Sequence, residues 1–325
     1  MAAKIQQTLI IPDEFAGMRL DQALAKLLPD YSRTQIQDWI KKQEITLDGA
    51  APKTKSHVIG GENIVIDASL KEQQHFAAEA IDLDVIFEDD SLLVINKPAG
   101  MVVHPAAGNV SHTLLNALLH HSPALHDLPR AGIIHRLDKD TTGLLVIAKT
   151  QQAYIKLSHQ MKNRTIKRIY QAVVSGIFPS GGKVDEPIAR HALQRKRMAV
   201  SETGKPAVTH YRVMERYRAH TRLKVQLETG RTHQIRVHMA HIHHPLLGDA
   251  TYGGRLKLPK GATPPLIDKL RTFKRQALHA FELGLIHPVT QEEMLWRAPL
   301  PADMQELIEC LRTDMPAPED LNYDY

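Results

Sequence analysis

Cysteine is nearly absent from this chain of 325 residues, which contains only Cys310. A single thiol cannot form an internal disulfide, so the class of small disulfide-stapled secreted domains is excluded and a reducing compartment is favoured. Cys310 stands among apolar residues at helical spacing, which predicts a buried or flanking helix position and not a nucleophile.

Long hydrophobic runs are missing as well. No uncharged run approaches the roughly 18 residues that a membrane span requires. The N-terminus lacks the charged segment followed by an apolar one that marks a signal peptide. We therefore predict a soluble, cytoplasmic protein with no membrane partner.

Recognisable metal and phosphate motifs are also lacking. The histidines 238, 241, 243 and 244 form a cluster, but it has neither the glutamate of a zinc-protease helix nor a nearby cysteine. The segment KPAG at residues 97–100 has no GxxxxGK[ST] frame and is better interpreted as a strand exit that shapes a cleft. We expect no metal and no cofactor.

What the chain does contain indicates a globular protein of two domains. Its length and its 43% hydrophobic content are sufficient for a substantial core. Lys and Arg number 41 against 36 Asp and Glu, giving a net charge of +5. This balance favours an anionic partner, although a small excess is common among proteins that bind no nucleic acid.

The sequence predicts a small basic N-terminal domain at residues 1–70, with two short amphipathic helices, the second capped by Ser32, followed by short strands. We predict a linker at residues 71–80, a second domain at 81–313 and a loose acidic tail at 314–325. In the second domain strands outnumber helices without regular alternation. This pattern predicts an α+β fold with a mainly antiparallel, mixed sheet. A monomer is the default expectation.

The most informative stretch is HRLDKDTTG at residues 135–143, which lies between the apolar runs at 132–134 and 144–148. We predict two buried strands joined by a charged loop that ends in glycine. One interpretation is a solvated turn with an internal salt bridge. The other is a reactive carboxylate at a strand end, kept ionised by a neighbouring guanidinium.

The segment HRLDKDTTGLLVIAK at residues 135–149 resembles the signature of the RluA-type pseudouridine synthases, which isomerise uridine to pseudouridine in structured RNA. Further blocks of that family follow in order over nearly the whole chain: INKPAG at 95–100, YQA at 170–172, GRTHQIRVH at 230–238, HPLLGD at 244–249 and YG at 252–253. Within the family, the chain most resembles the large-subunit branch called RluD. The segment MRLD at 18–21 with SR at 32–33 resembles an S4 RNA-binding domain.

The resemblance implies an isomerase without a cofactor that acts on large-subunit ribosomal RNA or a precursor of the large subunit. Asp138 matches the family's essential aspartate, and Arg231, just before a predicted helix start, is our candidate for the cation beside it. Arg136 is expected to enter the RNA where the base flips out, Tyr170 to stack on uracil, and Ile235 to pack under it. Weaker candidates for RNA contact are Arg19, Arg33, Lys41, Arg195, Lys196, Arg197 and Arg236.

Alternative functions remain open at this point. Asp138 and Asp140 together suit a glycoside or nucleoside hydrolase, although a turn carboxylate bonded to local backbone amides is the plainer interpretation of Asp140. A non-catalytic RNA-binding or ribosome-assembly factor would need only the S4-like module and the basic loops. The sequence also leaves open whether Asp138 attacks the ribose, attacks the uracil ring, or helps to remove a ribose proton.

Overall fold

The computed structural model of the protein describes residues 4–29, 31, 33–69, 76–106 and 108–314. The chain divides into two compact units, Met1–His75 and Phe76–Tyr325. None of the helices in the described residues is both long and apolar enough to cross a bilayer.

The first unit packs two helices on a small antiparallel sheet with the strand order β1-β3-β2. Its elements are β1 (Lys4–Ile10), α1 (Leu20–Leu27), α2 (Arg33–Lys41), β2 (Ile45–Leu47) and β3 (Asn63–Ser69). Apolar residues three and four apart on both helices are buried, as the helical spacing predicted: Leu20, Ala23, Leu24, Ile36, Trp39 and Ile40. The predicted cap Ser32 lies outside the described residues.

A buried carboxylate joins the two helices of this unit. Asp21 has no exposed side-chain surface, and its oxygens accept hydrogen bonds from Arg19 at 3.0 Å, from Arg33 at 2.8 Å and from Gln37. Burial alone would raise the pKa of Asp21, but these donors lower it to about 2. The structure therefore gives Arg19 and Arg33 a structural role that the sequence analysis did not predict, and their contact with RNA stays a prediction.

The second unit contains a mixed sheet of nine strands and a separate two-stranded hairpin, eleven strands in all within the described residues. Its strands are β4 (Val85–Glu88), β5 (Leu92–Lys97), β6 (Thr142–Ala148), β7 (Lys167–Ser175), β8 (Gly182–Asp185), β9 (Ile188–Arg190), β10 (Met198–Val200), β11 (Val208–Arg216), β12 (His220–Leu227), β13 (Leu278–Ile286) and β14 (Glu293–Arg297). Its helices are α3 (Leu114–His121), α4 (Gln151–Lys162), α5 (Gln234–His241), α6 (Pro264–Thr272) and α7 (Ala302–Thr313).

The strand order of the large sheet is β4-β5-β6-β13-β7-β12-β11-β8, with β14 also paired to β13, while β9 and β10 form a separate hairpin. Every pair in the large sheet is antiparallel except β6 with β13, which are parallel at Thr142 and Gly143. The predicted α+β class with a mainly antiparallel, mixed sheet is confirmed.

The centre of this sheet is buried on both faces, which explains its continuous apolar runs. On β6, Leu145 and Ile147 belong to one core cluster, while Leu144, Val146 and Ala148 belong to another. Successive side chains of a strand point to opposite faces, so the sheet separates the two clusters. The first cluster continues through Tyr170 of β7 and Ile235 of α5.

Several predicted boundaries are wrong. Residues 132–134 form no strand: a 3-10 helix ends at Gly132, and Ile133 makes only an isolated bridge to Ile147. Helix α6 was not predicted from the sequence; it begins at Pro264, and proline suits the first turn of a helix.

The predicted linker and tail also need correction where they are described. Phe76 packs on the first core cluster, and Asn116 exchanges hydrogen bonds with Ala77 and Glu79, so residues 76–79 belong to the second unit. Asp314, predicted to start the loose tail, is buried and accepts a 2.7 Å hydrogen bond from Arg218. Residues 71–75 of the predicted linker and 315–325 of the tail lie outside the described residues.

Candidate active site

A cavity of about 520 Å³ lies in the second unit at one face of the large sheet. This volume falls in the roughly 300–1,000 Å³ range of small-ligand sites. The structure brings together in its lining every main site residue that the sequence predicted: Arg136, Asp138, Tyr170, Arg231 and Ile235. These residues come from the segment before β6, from β7 and from the region of α5.

Asp138 lies in the irregular segment that leads into β6. Leu137 is only 4% exposed and anchors this segment in the core, while the Thr141 amide donates a 3.1 Å hydrogen bond to the Asp138 carbonyl. The side chain of Asp138 is 14% exposed. Its carboxylate therefore reaches the cavity wall from a backbone held by the core.

A buried lysine supports the same segment from β5. Lys97 has no exposed surface, and its Nζ donates to the carbonyls of Pro98 at 2.7 Å, Met101 at 3.0 Å and Lys139 at 2.9 Å. Burial lowers the pKa of Lys97 to about 7, while the charges of Asp140 and Asp138 oppose that shift. Because Lys139 follows Asp138, this ammonium helps to position the reactive loop.

Gly143 ends the loop where it meets β13. Its φ of +111° is a conformation that L side chains rarely adopt, and an added Cβ would lie 2.3 Å from the Ala280 carbonyl oxygen. Only glycine permits β6 to approach β13 this closely directly after the reactive loop.

The guanidinium paired with Asp138 is that of Arg236, in the first turn of α5. Arg236 Nη1 donates to Asp138 Oδ2 at 3.1 Å, while its Nε and Nη2 donate to the buried carboxylate of Asp249 at 2.7 and 2.9 Å. Burial alone would lower the pKa of Arg236, but the hydrogen bonds to Asp249 and Asp138 and the negative charges of these two carboxylates raise it. One arginine thus bridges two carboxylates and holds Asp138 by charge.

The prediction that Arg231 supplies this cation is therefore wrong. Arg231 lines the cavity, but its Nε donates to the Pro206 carbonyl at 3.1 Å. The reason is the start of the helix, which the sequence analysis placed near residue 232. Helix α5 begins at Gln234, so Arg231 lies outside it and Arg236 lies in its first turn.

His233 and Tyr252 complete the surroundings of Asp138. His233 adopts a left-handed conformation before α5, its Nδ1 lies 2.8 Å from the Tyr252 hydroxyl, and its Nε2 lies 3.9 Å from Asp138 Oδ1. Burial lowers the pKa of His233, which favours a neutral imidazole. The Tyr252 ring also lies against the Arg236 guanidinium, with 5.1 Å to its centroid.

Tyr170 and Ile235 form an apolar part of the cavity wall, and both are at most 5% exposed. Burial raises the pKa of Tyr170, so its hydroxyl stays protonated at neutral pH. Within the described residues this hydroxyl makes no hydrogen bond. It is therefore available to a ligand.

Arg136 lies at the cavity and is exposed. It forms neither a hydrogen bond nor an ion pair with any residue that the structure describes, which argues against a structural salt bridge. A free cation at the cavity suits contact with a charged ligand.

Asp140 does not line the cavity. Its carbonyl accepts a 3.3 Å hydrogen bond from Arg275, but in the described part of the chain its carboxylate makes no hydrogen bond. The predicted bonds to local amides are thus not observed. The carboxylate pair that the hydrolase alternative required is not assembled in this cavity.

Of the weaker candidates for RNA contact, Arg195 and Lys196 are exposed in the segment between β9 and β10, and Lys41 is exposed in the last turn of α2. Arg197 lies over the Tyr252 ring, 5.1 Å from its centroid, and the Met198 amide donates to the Tyr252 hydroxyl at 2.8 Å. Tyr252 therefore ties this basic hairpin to the residues around Asp138.

The histidine cluster has structural partners. His238 is fully buried, with Nδ1 at 2.8 Å from the Thr209 hydroxyl and Nε2 at 2.9 Å from the Glu186 carbonyl oxygen. Across the described residues, no group of three or more His, Cys, Asp or Glu side chains is arranged to hold a metal ion.

No role was predicted from the sequence for Lys97, His233 or Asp249 beyond their presence in matching segments or in support of the site, and Arg168 was not singled out at all. Asp249 ends the segment HPLLGD, but the burial of Asp249 and Arg236, which makes them partners, is seen only in the structure. Their separation of 13 residues carries no helical or strand periodicity that would indicate the contact.

Two parts of the chain match families of known proteins. Residues 91–241 match the model of the RNA pseudouridylate synthase family, and residues 18–62 match the S4 domain. The first match includes Asp138, Tyr170 and Arg236, and the second includes Asp21.

The chain is 54% identical over 315 residues to the ribosomal large subunit pseudouridine synthase D of Escherichia coli (strain K12), which covers 97% of each chain. It is 56% identical over 310 residues to the protein of that name from Pasteurella multocida (strain Pm70), which covers 95% of each. Among solved structures, human RNA pseudouridylate synthase domain containing 4 superposes with a TM-score of 0.56 and 27% identity over 70% of this chain and 92% of that one.

Proposed function

Because this chain belongs to the RNA pseudouridylate synthase family, we propose that it isomerises specific uridines of large-subunit ribosomal RNA to pseudouridine, with Asp138 as the acting carboxylate. The observation that carries the proposal is the pairing of Asp138 with Arg236 at 3.1 Å beside a cavity of about 520 Å³. The Arg236 guanidinium compensates the charge of the Asp138 carboxylate and fixes its position at the cavity, where it can act as a nucleophile or a base.

The target nucleotide must leave the RNA stack to reach Asp138, because a stacked base exposes neither its glycosidic bond nor its ring edge to a buried carboxylate. Arg136 is exposed and has no ion pair with any described residue, so it is suited to enter the RNA and to occupy the space that the extruded nucleotide leaves. Its charge also compensates the phosphates on either side of that gap.

The extruded uracil would lie between Tyr170 and Ile235. A tyrosine ring stacks on a pyrimidine, and an apolar side chain on the other side of the pocket excludes water from the detached ring. Because Tyr170 keeps its proton and has no hydrogen-bond partner in the described chain, it can donate to the base or exchange a proton with it.

The isomerisation itself breaks the bond between C1′ and N1, turns the ring, and joins C1′ to C5. The C5 proton leaves, and N1 takes up a proton, so no redox partner is involved. Asp138 can serve this sequence by attacking C1′ of the ribose, by adding to the uracil ring, or by removing a ribose proton. All three routes use the same residues.

The RNA would be held outside the cavity by basic surfaces. The exposed Arg195 and Lys196 lie on a hairpin that Tyr252 ties to the site, and the S4 domain adds Lys41. Ribosomal RNA of the large subunit, or a precursor of that subunit, is the proposed partner because the relatives carry that substrate in their names. The proposal places the protein in the cytoplasm as a monomer.

Pseudouridine mapping of large-subunit ribosomal RNA tests this proposal. Cells that lack the gene should lose pseudouridine at particular positions, the intact gene should restore it, and Asp138→Asn should not. Retention of every pseudouridine in the deleted strain would contradict the proposed substrate. Release of free uracil from the RNA by the purified protein would instead indicate a hydrolase.

A further inference from the structure

Arg168 is a second buried arginine of the cavity and has no role in the chemistry described so far. It lies on β7, two residues before Tyr170, so the two side chains share a face of the strand. Arg168 is 5% exposed and lines the same cavity as Asp138.

Unlike Arg236, Arg168 has no acidic partner among the residues that the structure describes. Within the described part of the chain, its Nη2 makes one long hydrogen bond of 3.4 Å to the Glu228 carbonyl, and its Nε is buried without an acceptor. A buried cation without a counter-ion costs several kcal/mol, roughly, in stability. Unpaired buried charges that lower stability are found mainly at functional sites, where the charge interacts with a ligand.

The neighbours of Arg168 do not offer it an anion. Burial raises the pKa of Tyr170, which keeps the phenol neutral, and burial lowers the pKa of His135 to about 3, which keeps that imidazole neutral. Gly230 leaves room for the guanidinium, because a Cβ at that position would lie 2.7 Å from Nη1. The guanidinium thus stands in a space where an oxygen of a ligand can reach it.

The uridine substrate supplies oxygens with suitable charge. When the bond from C1′ to N1 breaks, its electron pair stays on the ring, and resonance places negative charge on O2 and O4. The charge disappears when C5 bonds to C1′, and the later loss of the C5 proton is balanced by uptake of a proton at N1. A fixed donor in a cavity closed to water is most effective against charge that appears only during the reaction.

A backbone phosphate is a less suitable partner for Arg168. Phosphates stay with the RNA chain at the open side of the cavity, where the exposed Arg136 lies, whereas Arg168 is buried beside Tyr170. Only the extruded base enters that depth.

We propose that Arg168 recognises the extruded uracil by donating a hydrogen bond to a ring carbonyl oxygen and stabilises the negative charge that the ring carries between bond cleavage and bond formation. This inference rests on the proposed function, and it makes Arg168 a catalytic residue that is distinct from the Asp138, Arg236 and Asp249 cluster.

The test compares Arg168→Met and Arg168→Lys with Arg222→Met. Arg222 serves as the control because it is also an arginine of this sheet, on β12, but does not line the cavity. Its Nη2 donates a hydrogen bond of 2.6 Å to the Gln171 side chain. Single-turnover pseudouridine formation, RNA affinity as a function of salt, and thermal unfolding are measured for each variant on an unmodified large-subunit ribosomal RNA transcript.

Arg168→Met should slow the single-turnover rate by about 10²–10³-fold, the usual effect of removing one donor to developing charge. Arg168→Lys, which keeps a point charge, should lose less. The dependence of affinity on salt should not change, and the Tm of Arg168→Met should equal or exceed that of the unaltered protein because an unpaired buried charge is gone. Arg222→Met should lower the Tm and leave the rate unchanged.

A rate for Arg168→Met within threefold of the unaltered protein overturns the inference. A decrease of about one in the slope of log RNA affinity against log salt concentration would instead identify a phosphate contact. A lower Tm, with the Lys and Met variants equally slow, would identify a structural support. If the unaltered protein forms no pseudouridine on this RNA, the proposed function fails and the inference with it. An active Arg168→Met beside an inactive Asp138→Asn refutes the inference alone.

Discussion

The substitution Asp249→Asn tests whether the bridge from Asp249 through Arg236 holds Asp138 in place. Asp249 has no exposed side-chain surface and accepts hydrogen bonds from Arg236 at 2.7 and 2.9 Å and from the amides of Thr251 and Tyr252 at 2.8 and 3.0 Å. Asparagine keeps one oxygen and places an NH₂ group where donors converge. It therefore loses part of this network and leaves the buried Arg236 with Asp138 alone.

Breaking a buried ion pair by removing one partner costs about 3–5 kcal/mol. For a unit of this size, each kcal/mol lowers the Tm by about 2–4 °C, so we expect a decrease of about 10 °C. The variant should remain folded at 25 °C, because total stabilities are about 5–15 kcal/mol. Its turnover should fall about 100-fold, since Arg236 would no longer be fixed against Asp138.

The effect should also depend on pH. Burial raises the pKa of Asp249, but hydrogen bonds and charge from Arg236 outweigh burial and lower it overall. A carboxylate with a lowered folded pKa contributes stability above its unfolded pKa of about 3.9, and that contribution is lost as the pH falls through the folded value. The stabilities of Asp249→Asn and the unaltered protein should therefore converge below about pH 4.

Urea unfolding followed by fluorescence between pH 3 and pH 8 measures this difference, and single-turnover assays measure the rate. Asp185→Asn is the matched control, because Asp185 is 55% exposed and has one ion pair with Lys183 at 3.1 Å. Such a surface pair contributes about 1 kcal/mol or less. A loss below about 1 kcal/mol in Asp249→Asn, with an unchanged rate, would refute the reasoning.

The remaining predictions concern the other supports of the site and its RNA contacts. Arg236→Lys should lower turnover about 100-fold because lysine cannot bridge two carboxylates, whereas Arg231→Lys should lower it less than tenfold. Equal losses in steady-state assays would restore Arg231 as the partner of Asp138. Gly143→Ala should destabilise the protein by more than about 3 kcal/mol in urea unfolding, since its Cβ would lie 2.3 Å from the Ala280 carbonyl oxygen, while Gly254→Ala, with nothing within 4 Å, should cost about 1 kcal/mol. The double substitution Arg195→Gln and Lys196→Gln should reduce the slope of log affinity against log salt by between about one and two in filter binding, with the rate at saturating RNA unchanged; an unaltered slope would remove this hairpin from the RNA interface.

The residues that sequence reasoning found are those whose roles follow from local segments. Asp138, Tyr170 and Ile235 each stand in a segment that resembles the same family, and all of them line one cavity. Strand β6 was likewise recognisable from residues 144–148, because a strand that is buried on both faces appears in the sequence as a continuous apolar run. The antiparallel tendency followed from the order of strands and helices.

Long-range pairing could not be predicted in this way. Lys97 and Lys139 are 42 residues apart, and Arg236 and Asp138 are 98 apart, so their contacts depend on the strand order of the finished sheet. Arg231 was chosen over Arg236 because the start of α5 was placed two residues too early. An error of two residues is ordinary for the end of a helix, and here it led to Arg231 being predicted as the partner of Asp138 in place of Arg236.

Tritium release from large-subunit ribosomal RNA labelled at C5 of uracil tests the central claim most directly, because isomerisation must expel the C5 hydrogen. The account predicts that Asp138→Asn releases no tritium while it binds the RNA within a few fold of the unaltered protein. Asp140→Asn, which changes a carboxylate outside the cavity lining, should retain release. Tritium release by Asp138→Asn at the unaltered rate would contradict the account.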